Sequence, residues 1–201
     1  MSTEPTTPTL SNAGAGETAT GGSTPPGAPD RLLVEISNSQ SHLAIDLEAV
    51  RRLVHGTLAL EGVSTASISI AFVDDPTIHA LNRRHLNHDW PTDIITFVLS
   101  DEDDEELAAE LVVSAEMAVT TAREASVPAW DELALYVVHG LLHVCGHDDT
   151  TPEARHEMRQ REGEVLAALG LSNTFAAVSA HVEPADSDRQ APVDNVRGVA
   201  S

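Results

Sequence analysis

One segment constrains this chain more than any other: His139-Gly140-Leu141-Leu142-His143-Val144-Cys145-Gly146-His147-Asp148-Asp149, at the end of the apolar run Leu133–Leu142. On a helix, two histidines at this spacing share one face, one turn apart, close enough to bind a single metal ion. A helix this apolar belongs in the interior, and two buried histidines need partners for their ring nitrogens. A metal ion supplies them. Gly146 can take the left-handed conformation that ends a helix and reverses the chain. The returning segment then offers His147, Asp148 and Asp149 as sources of a third ligand. Three protein ligands and an open position make a catalytic site, whereas structural zinc sites close with four. The segment therefore points to a metal-dependent hydrolytic centre. Without the apolar helix, the glycine and the acidic turn, the same His pair would be two polar residues on one helix face.

The 201 residues allow one ordinary domain plus tails. Residues 1–30 are rich in Thr, Gly, Pro, Ser and Ala, and such a segment buries too little surface to offset its chain entropy, so a disordered low-complexity tail is expected. It lacks the basic and apolar regions of a secretory signal. Residues 172–201 turn polar again and read as a second disordered tail, which leaves 31–171 as the domain, long enough for a hydrophobic interior. No run approaches the length of a transmembrane helix, so no membrane partner is expected. The single Cys145 excludes an internal disulfide, suits a cytosolic protein, and reads as a small buried apolar residue rather than a ligand.

Net charge is −21 with no lysine, and within 31–172 only 9 Arg face 25 Asp and Glu, a balance of −16. Phosphate binding runs on positive charge, so this composition taken alone argues against a nucleic-acid partner. Arg83-Arg84 and Arg155, Arg159 and Arg161 are the clusters available for a local basic strip.

Periodicity outlines the elements. Leu32–Ile36 reads as a strand, and Asp46–Leu60 as an amphipathic helix with Asp46 as N-cap and Gly62 as stop. Ser67–Val73 alternates, with Ile68, Ile70 and Phe72 on the covered side. Asp75-Pro76 opens a helix to about His85; a Pro-containing loop leads to the strand Ile94–Leu99, and Leu107–Val113 returns beyond the acidic hairpin tip Asp101–Glu106. Ser114–Glu124 and Asp131–Val144 read as helices. Thr151-Pro152 starts a last one, with Met158, Val165, Leu166 and Leu169 inward. The expected fold is α+β: a small mixed four-stranded sheet covered by helices, with a zincin-like metal centre.

Two resemblances follow. The pattern His-x-x-x-His-x-x-Gly-x-x-Asp (139, 143, 146, 149) is similar to the ligand frame of metzincin-type metalloproteases, which carry a general-base Glu after the first His. Here that position is Gly140, so peptide hydrolysis by that route lacks its base. More extensively, the chain resembles the YbeY family of ribosomal RNA maturation factors over roughly 31–171. Their His-Gly-x-Leu-His-x-x-Gly-x-Asp-His signature is followed from His139 to Asp148. Leu81-Asn82, Pro91-Thr92-Asp93-Ile94-Ile95-Thr96-Phe97 and Glu110-Leu-Val-Val-Ser114 resemble further family segments, and Met158, Glu162 and Leu166 suit its last helix.

The resemblance implies one Zn2+ held by His139, His143 and Asp149, with Asp149 where the family has its third His and His147 as the rival third ligand. The family's Arg after Leu-Asn corresponds to Leu86, and Arg83 or Arg84 would have to compensate. His147 is a candidate proton shuttle or a hydrogen-bonded turn residue. Asp148 either orients a ligand His or caps the turn, and Trp90 either stacks a base or packs. The implied function is a cytoplasmic, single-strand-specific, metal-dependent endoribonuclease in rRNA processing and ribosome biogenesis. It would act on rRNA at the 3′ end of the small-subunit RNA, with small-subunit ribosomal proteins as further partners. Two alternatives stand beside it: a non-catalytic assembly factor docking on basic ribosomal proteins, favoured by the acidity, and a metallopeptidase-like hydrolase, weakened by Gly140.

Overall fold

The alternating segment becomes the middle of a sheet. In strand β2 (Thr65–Val73) Ala66, Ile68, Ile70 and Phe72 are buried while Thr65, Ser67, Ser69 and Ala71 stay partly covered, the period-two pattern of a strand with unequal faces. Strands β1 (Arg31–Asn38) and β4 (Leu107–Ser114) flank β2 in parallel, and β3 (Ile94–Val98) pairs antiparallel with β4. A three-residue strand β5 (Asn195–Arg197) lies parallel beside β3, so the order is β1-β2-β4-β3-β5. The computed structural model describes residues 31–85, 89–101 and 103–172 and the backbone of 195–197; the tail assigned to 1–30, most of that assigned to 172–201, and Leu86 lie outside the described residues.

The domain is a mixed sheet of four strands, extended by β5, with five helices. One βαβ unit stands beside one hairpin. Helix α1 (Leu47–Leu60) carries the chain from β1 across to parallel β2, and the acidic run Asp101–Glu106 lies between antiparallel β3 and β4. Asp46 and Thr151 cap as the sequence predicts, Asp46 accepting from the backbone N–H groups of Glu48 and Ala49 and Thr151 from that of Ala154. Ser114, read as the first helical residue, is a cap too, accepting from the Met117 N–H. Each such cap contributes about 1 kcal/mol. They start α1, α3 (Ala115–Ala125) and α5 (Pro152–Ala168).

Helix α4 (Ala129–Val144) is the axis of the domain, lying on β3 and β4 with α1, α3 and α5 packed around it. Leu133, Leu141 and Leu142 are 0% exposed, and burial of each side chain contributes roughly 1.5–3 kcal/mol. Gly140 permits this closeness. A Cβ there would overlap Ile94 Cδ1 and come within 3.0 Å of Leu111 Cδ2 and Thr96 Oγ1. Helix α2 (Asp75–His85) covers the other face, where Ile78 packs on Val73, Ile95 and Val112. Among the described residues no helix is long and apolar enough to cross a membrane.

Candidate metal centre

Helix α4 ends as the glycine predicts. Gly146 has φ +95°, its N–H meets the His143 carbonyl at 3.0 Å, and the His147 N–H reaches the Leu142 carbonyl at 3.0 Å. This is a Schellman turn, and it swings the chain back over the last helical turn. Two consequences follow. The His147 carbonyl comes to lie 3.0 Å from His143 Nδ1, and Asp149 returns so that its Oδ1 is 3.7 Å from His143 Nε2.

The two imidazoles meet through their other nitrogens: His139 Nε2 and His143 Nε2 are 3.2 Å apart, with the rings edge to face. His139 Nδ1 is 2.6 Å from Glu162 Oε1, on α5. Opposite a carboxylate and a carbonyl, both Nδ1 atoms must carry their proton and donate it. Each neutral ring then turns a lone pair from Nε2 towards the other. Two facing lone pairs repel, so the arrangement calls for a shared proton or a cation between them.

The rest of the geometry agrees with a cation. One donor atom from each of His139, His143 and Asp149 lies within 4.8 Å of the others. Three ligands bound to one zinc at about 2.0–2.2 Å in tetrahedral geometry are roughly 3.3–3.5 Å apart, so closing the site needs shifts of only about an ångström. His143 is 3% exposed as a residue, and the side chains of His139, Asp149 and Glu162 are 13%, 15% and 2% exposed, so the donors are pre-positioned by packing. Partners that fix the tautomer and angle of a ligand histidine are a recurrent part of metal sites, and Glu162 and the His147 carbonyl stand in that position here. The second carboxylate oxygen of Glu162 is buried with no hydrogen-bond partner.

Electrostatics divide the pair. Burial lowers the affinity of His139 for a proton, but the hydrogen bond and charge of Glu162 outweigh it and raise its pKa above the usual imidazole value. His143 moves the other way, lowered by burial and by the charge of His139. His139 therefore holds a proton more tightly than His143 does.

The remaining sequence candidates fall into place around this centre. His147 is outside the three-residue group: its Nε2 is 2.8 Å from Glu61 Oε2, while its carbonyl serves His143. Asp148 caps the turn, accepting from the N–H groups of Asp149 and Thr150 and from the Thr150 hydroxyl. Cys145 packs against the main core and lies outside the three-residue group, and burial together with the Glu61 charge pushes its thiol up to about 12. Trp90 is 44% exposed on the loop before β3, and its carbonyl accepts from the buried Asn82 amide. Arg83 and Arg84 are exposed in the last turn of α2.

Two carboxylates were not singled out as site residues by sequence reasoning. Glu162 carries a signal in hindsight: it sits in the buried stripe Met158, Val165, Leu166, where an unpaired carboxylate is costly and demands a partner. Glu61 carries none. It follows α1 like any solvated residue, and only the fold brings it to His147 and Arg161.

With this geometry in hand, comparison with known proteins is direct. The model of the family described as Endoribonuclease YbeY matches residues 35–170. A protein of that name from Carboxydothermus hydrogenoformans is 38% identical over 142 residues, spanning 69% of this chain and 99% of its own length. Another, from Rhodopirellula baltica, is 44% identical over 115 residues, 56% of this chain and 59% of that protein. A third, from Syntrophus aciditrophicus, is 33% identical over 144 residues, 69% of this chain and 90% of that one. A family match that runs from within β1 through β4, α4 and its turn to the Glu162 helix leads to one conclusion: this chain belongs to the YbeY endoribonuclease family.

Proposed function

We propose that the domain, 31–171, is a single-strand-specific, metal-dependent endoribonuclease that acts on ribosomal RNA in the cytoplasm, with one Zn2+ held by His139, His143 and Asp149. One observation carries the metal: two Nε2 atoms 3.2 Å apart, both rings committed at Nδ1 to acceptors, with a carboxylate oxygen 3.7 Å away. Family membership supports the ribonuclease activity, and maturation of the small-subunit rRNA 3′ end is the specific reaction we assign.

When bound, the ion would supply Lewis acidity towards a phosphoryl oxygen or a water. The chain's own contributions are positional and electrostatic. Glu162 and the His147 carbonyl hold both imidazoles in the tautomer that presents Nε2. Asp149 brings a negative charge that a third histidine would not, which keeps the centre less electrophilic and widens the range of divalent ions it accepts. Arg83 and Arg84, exposed on α2, are the cations we assign to the RNA backbone, in a domain whose overall balance is −16.

The metallopeptidase alternative loses ground on a specific contact. The position of a protease's glutamate is Gly140, and a side chain there would run into Ile94, Leu111 and Thr96. The assembly-factor alternative retains one supporting observation, the exposed acidic hairpin between β3 and β4, which suits basic ribosomal proteins. The deciding experiment is cleavage of a single-stranded rRNA fragment by wild type and His143→Ala, with and without chelator. Chelator-sensitive cutting abolished by the substitution supports the nuclease. Binding to ribosomal components by both proteins with cutting by neither supports the assembly factor.

A further inference from the structure

Glu61 occupies a position that electrostatics disfavours. It is the C-cap of α1, at the negative end of the helix dipole, and the last turn of that helix holds no basic residue. Its side chain is nonetheless 9% exposed. Both carboxylate oxygens are engaged by groups distant in sequence: Oε2 is 2.8 Å from His147 Nε2, and Oε1 is 2.8 Å from Arg161 Nε. Arg161 also donates to the Leu60 carbonyl at 3.0 Å and to Glu164 Oε2 at 2.8 Å, which fixes the guanidinium on the end of α1. The carboxyl is held below its usual range because these two partners outweigh the upward push of burial.

What hangs from Glu61 is the turn that follows α4. The His147 ring is held by Glu61 and its carbonyl accepts from His143 Nδ1, so one residue joins the carboxylate to the metal-facing imidazole. Asp149 lies two residues further along the same turn. We propose that Glu61 is a positioning residue for the metal centre. By clamping the His147 imidazole it fixes the carbonyl that orients His143 and the path that returns Asp149. The inference deepens the metal-centre reading above and rests on it.

A purely structural ion pair between α1 and α5 would have a different signature, and metal affinity separates the two. Zn2+ affinity of the full-length protein is measured by competition with a chromophoric chelator, for wild type, Glu61→Ala, His147→Ala, the double variant and His147→Gln. His147→Ala removes the ring and keeps the carbonyl. Each single variant is expected to weaken Zn2+ binding roughly 10–100-fold, the usual effect of losing a partner behind a ligand. The double variant should bind no more weakly than the worse single one, because both remove the same link. His147→Gln, whose amide still donates to Glu61, should recover most of the affinity. Co2+-loaded singles should show a changed visible absorption spectrum, which a remote loss of stability does not produce.

The proposal is overturned if either single variant binds Zn2+ within about twofold of wild type, or if the two losses multiply in the double variant. Folding is checked by far-UV circular dichroism. The His147 side chain is 32% exposed, so His147→Ala decides the matter even if Glu61→Ala does not fold. Failure of the wild type itself to bind Zn2+ would remove the metal centre, and with it this role. Binding by wild type and variants alike would remove the Glu61 role alone.

Discussion

The acidic hairpin and the candidate metal centre use the same kind of residue to opposite ends. Asp101, Asp103, Asp104 and Glu105 are exposed between β3 and β4, and their charges are solvated. Glu61, Asp149 and Glu162 are largely buried, and each faces a histidine: His147 at 2.8 Å, His143 at 3.7 Å and His139 at 2.6 Å. The difference is the dielectric. In water a carboxylate needs no protein partner, and surface pairs contribute little. Out of water it is costly unless paired, and each of these three has a histidine partner. In a chain with this much acid, the count of carboxylates says little about the site. Burial beside a histidine is what sets these three apart.

The largest effect should come from adding a carboxylate where the interior has no room. Gly140→Glu, which restores the protease-like residue, would force a side chain into Ile94, Leu111 and Thr96. Overpacking and an unpaired buried charge together cost at least about 3 kcal/mol, so little folded protein is expected on expression and denaturant titration. A stable, well-folded Gly140→Glu would break the contrast between the two regions at once. Next in size, Asp149→Ala removes one of the three donors. Bound zinc by elemental analysis should fall from about one ion per chain to a small fraction of that, with helix content unchanged.

Glu162→Gln sharpens the comparison through pH. The folded pKa of His139 is raised, so the stabilisation it brings is fully present below the unfolded value of about 6.5 and is lost as pH rises through the folded value. His143, lowered, acts in the opposite sense, but its lowering comes from burial and His139 rather than from Glu162. The metal-free wild type should therefore exceed metal-free Glu162→Gln by about 1–3 kcal/mol in urea titrations at pH 5.5, and by less at pH 8.5. An advantage that grew with pH would contradict the assignment. The smallest effect belongs to the hairpin. Asp103→Asn with Glu105→Gln should leave both the urea midpoint and Zn2+ affinity unchanged, and a drop in affinity would mean that the exposed acids are coupled to the centre after all.

Much of the fold was legible because it rests on local rules. The period-two alternation around Ile68, Ile70 and Phe72 needs no tertiary information, nor do the caps Asp46 and Thr151 or the glycine stop after α4. The pairing of His139 and His143 was also suggested locally, with His147, Asp148 and Asp149 all open as the third donor, and it is the family resemblance that singles out Asp149. The carboxylate partners were harder to see. Glu162 lies 23 residues from His139, and Glu61 lies 86 from His147, separations at which no periodicity operates. Gly140 was read for the base it lacks, whereas the structure shows it as the point where α4 meets the sheet.

By itself, then, the sequence determined which segments within 31–171 become strands and helices, where α4 stops, and that metal donors gather at its end. The short β5, inside a segment read as a tail, was not foreseen. Helical spacing, alternation and left-handed glycine turns are short-range properties of the chain. Only the tertiary structure decided how those donors are held: Glu162 behind His139, the His147 carbonyl behind His143, and Glu61 with Arg161 behind His147. Such contacts join α1, α4 and α5, and they arise because burial strips water from polar groups and leaves them to satisfy one another across elements that no local pattern links.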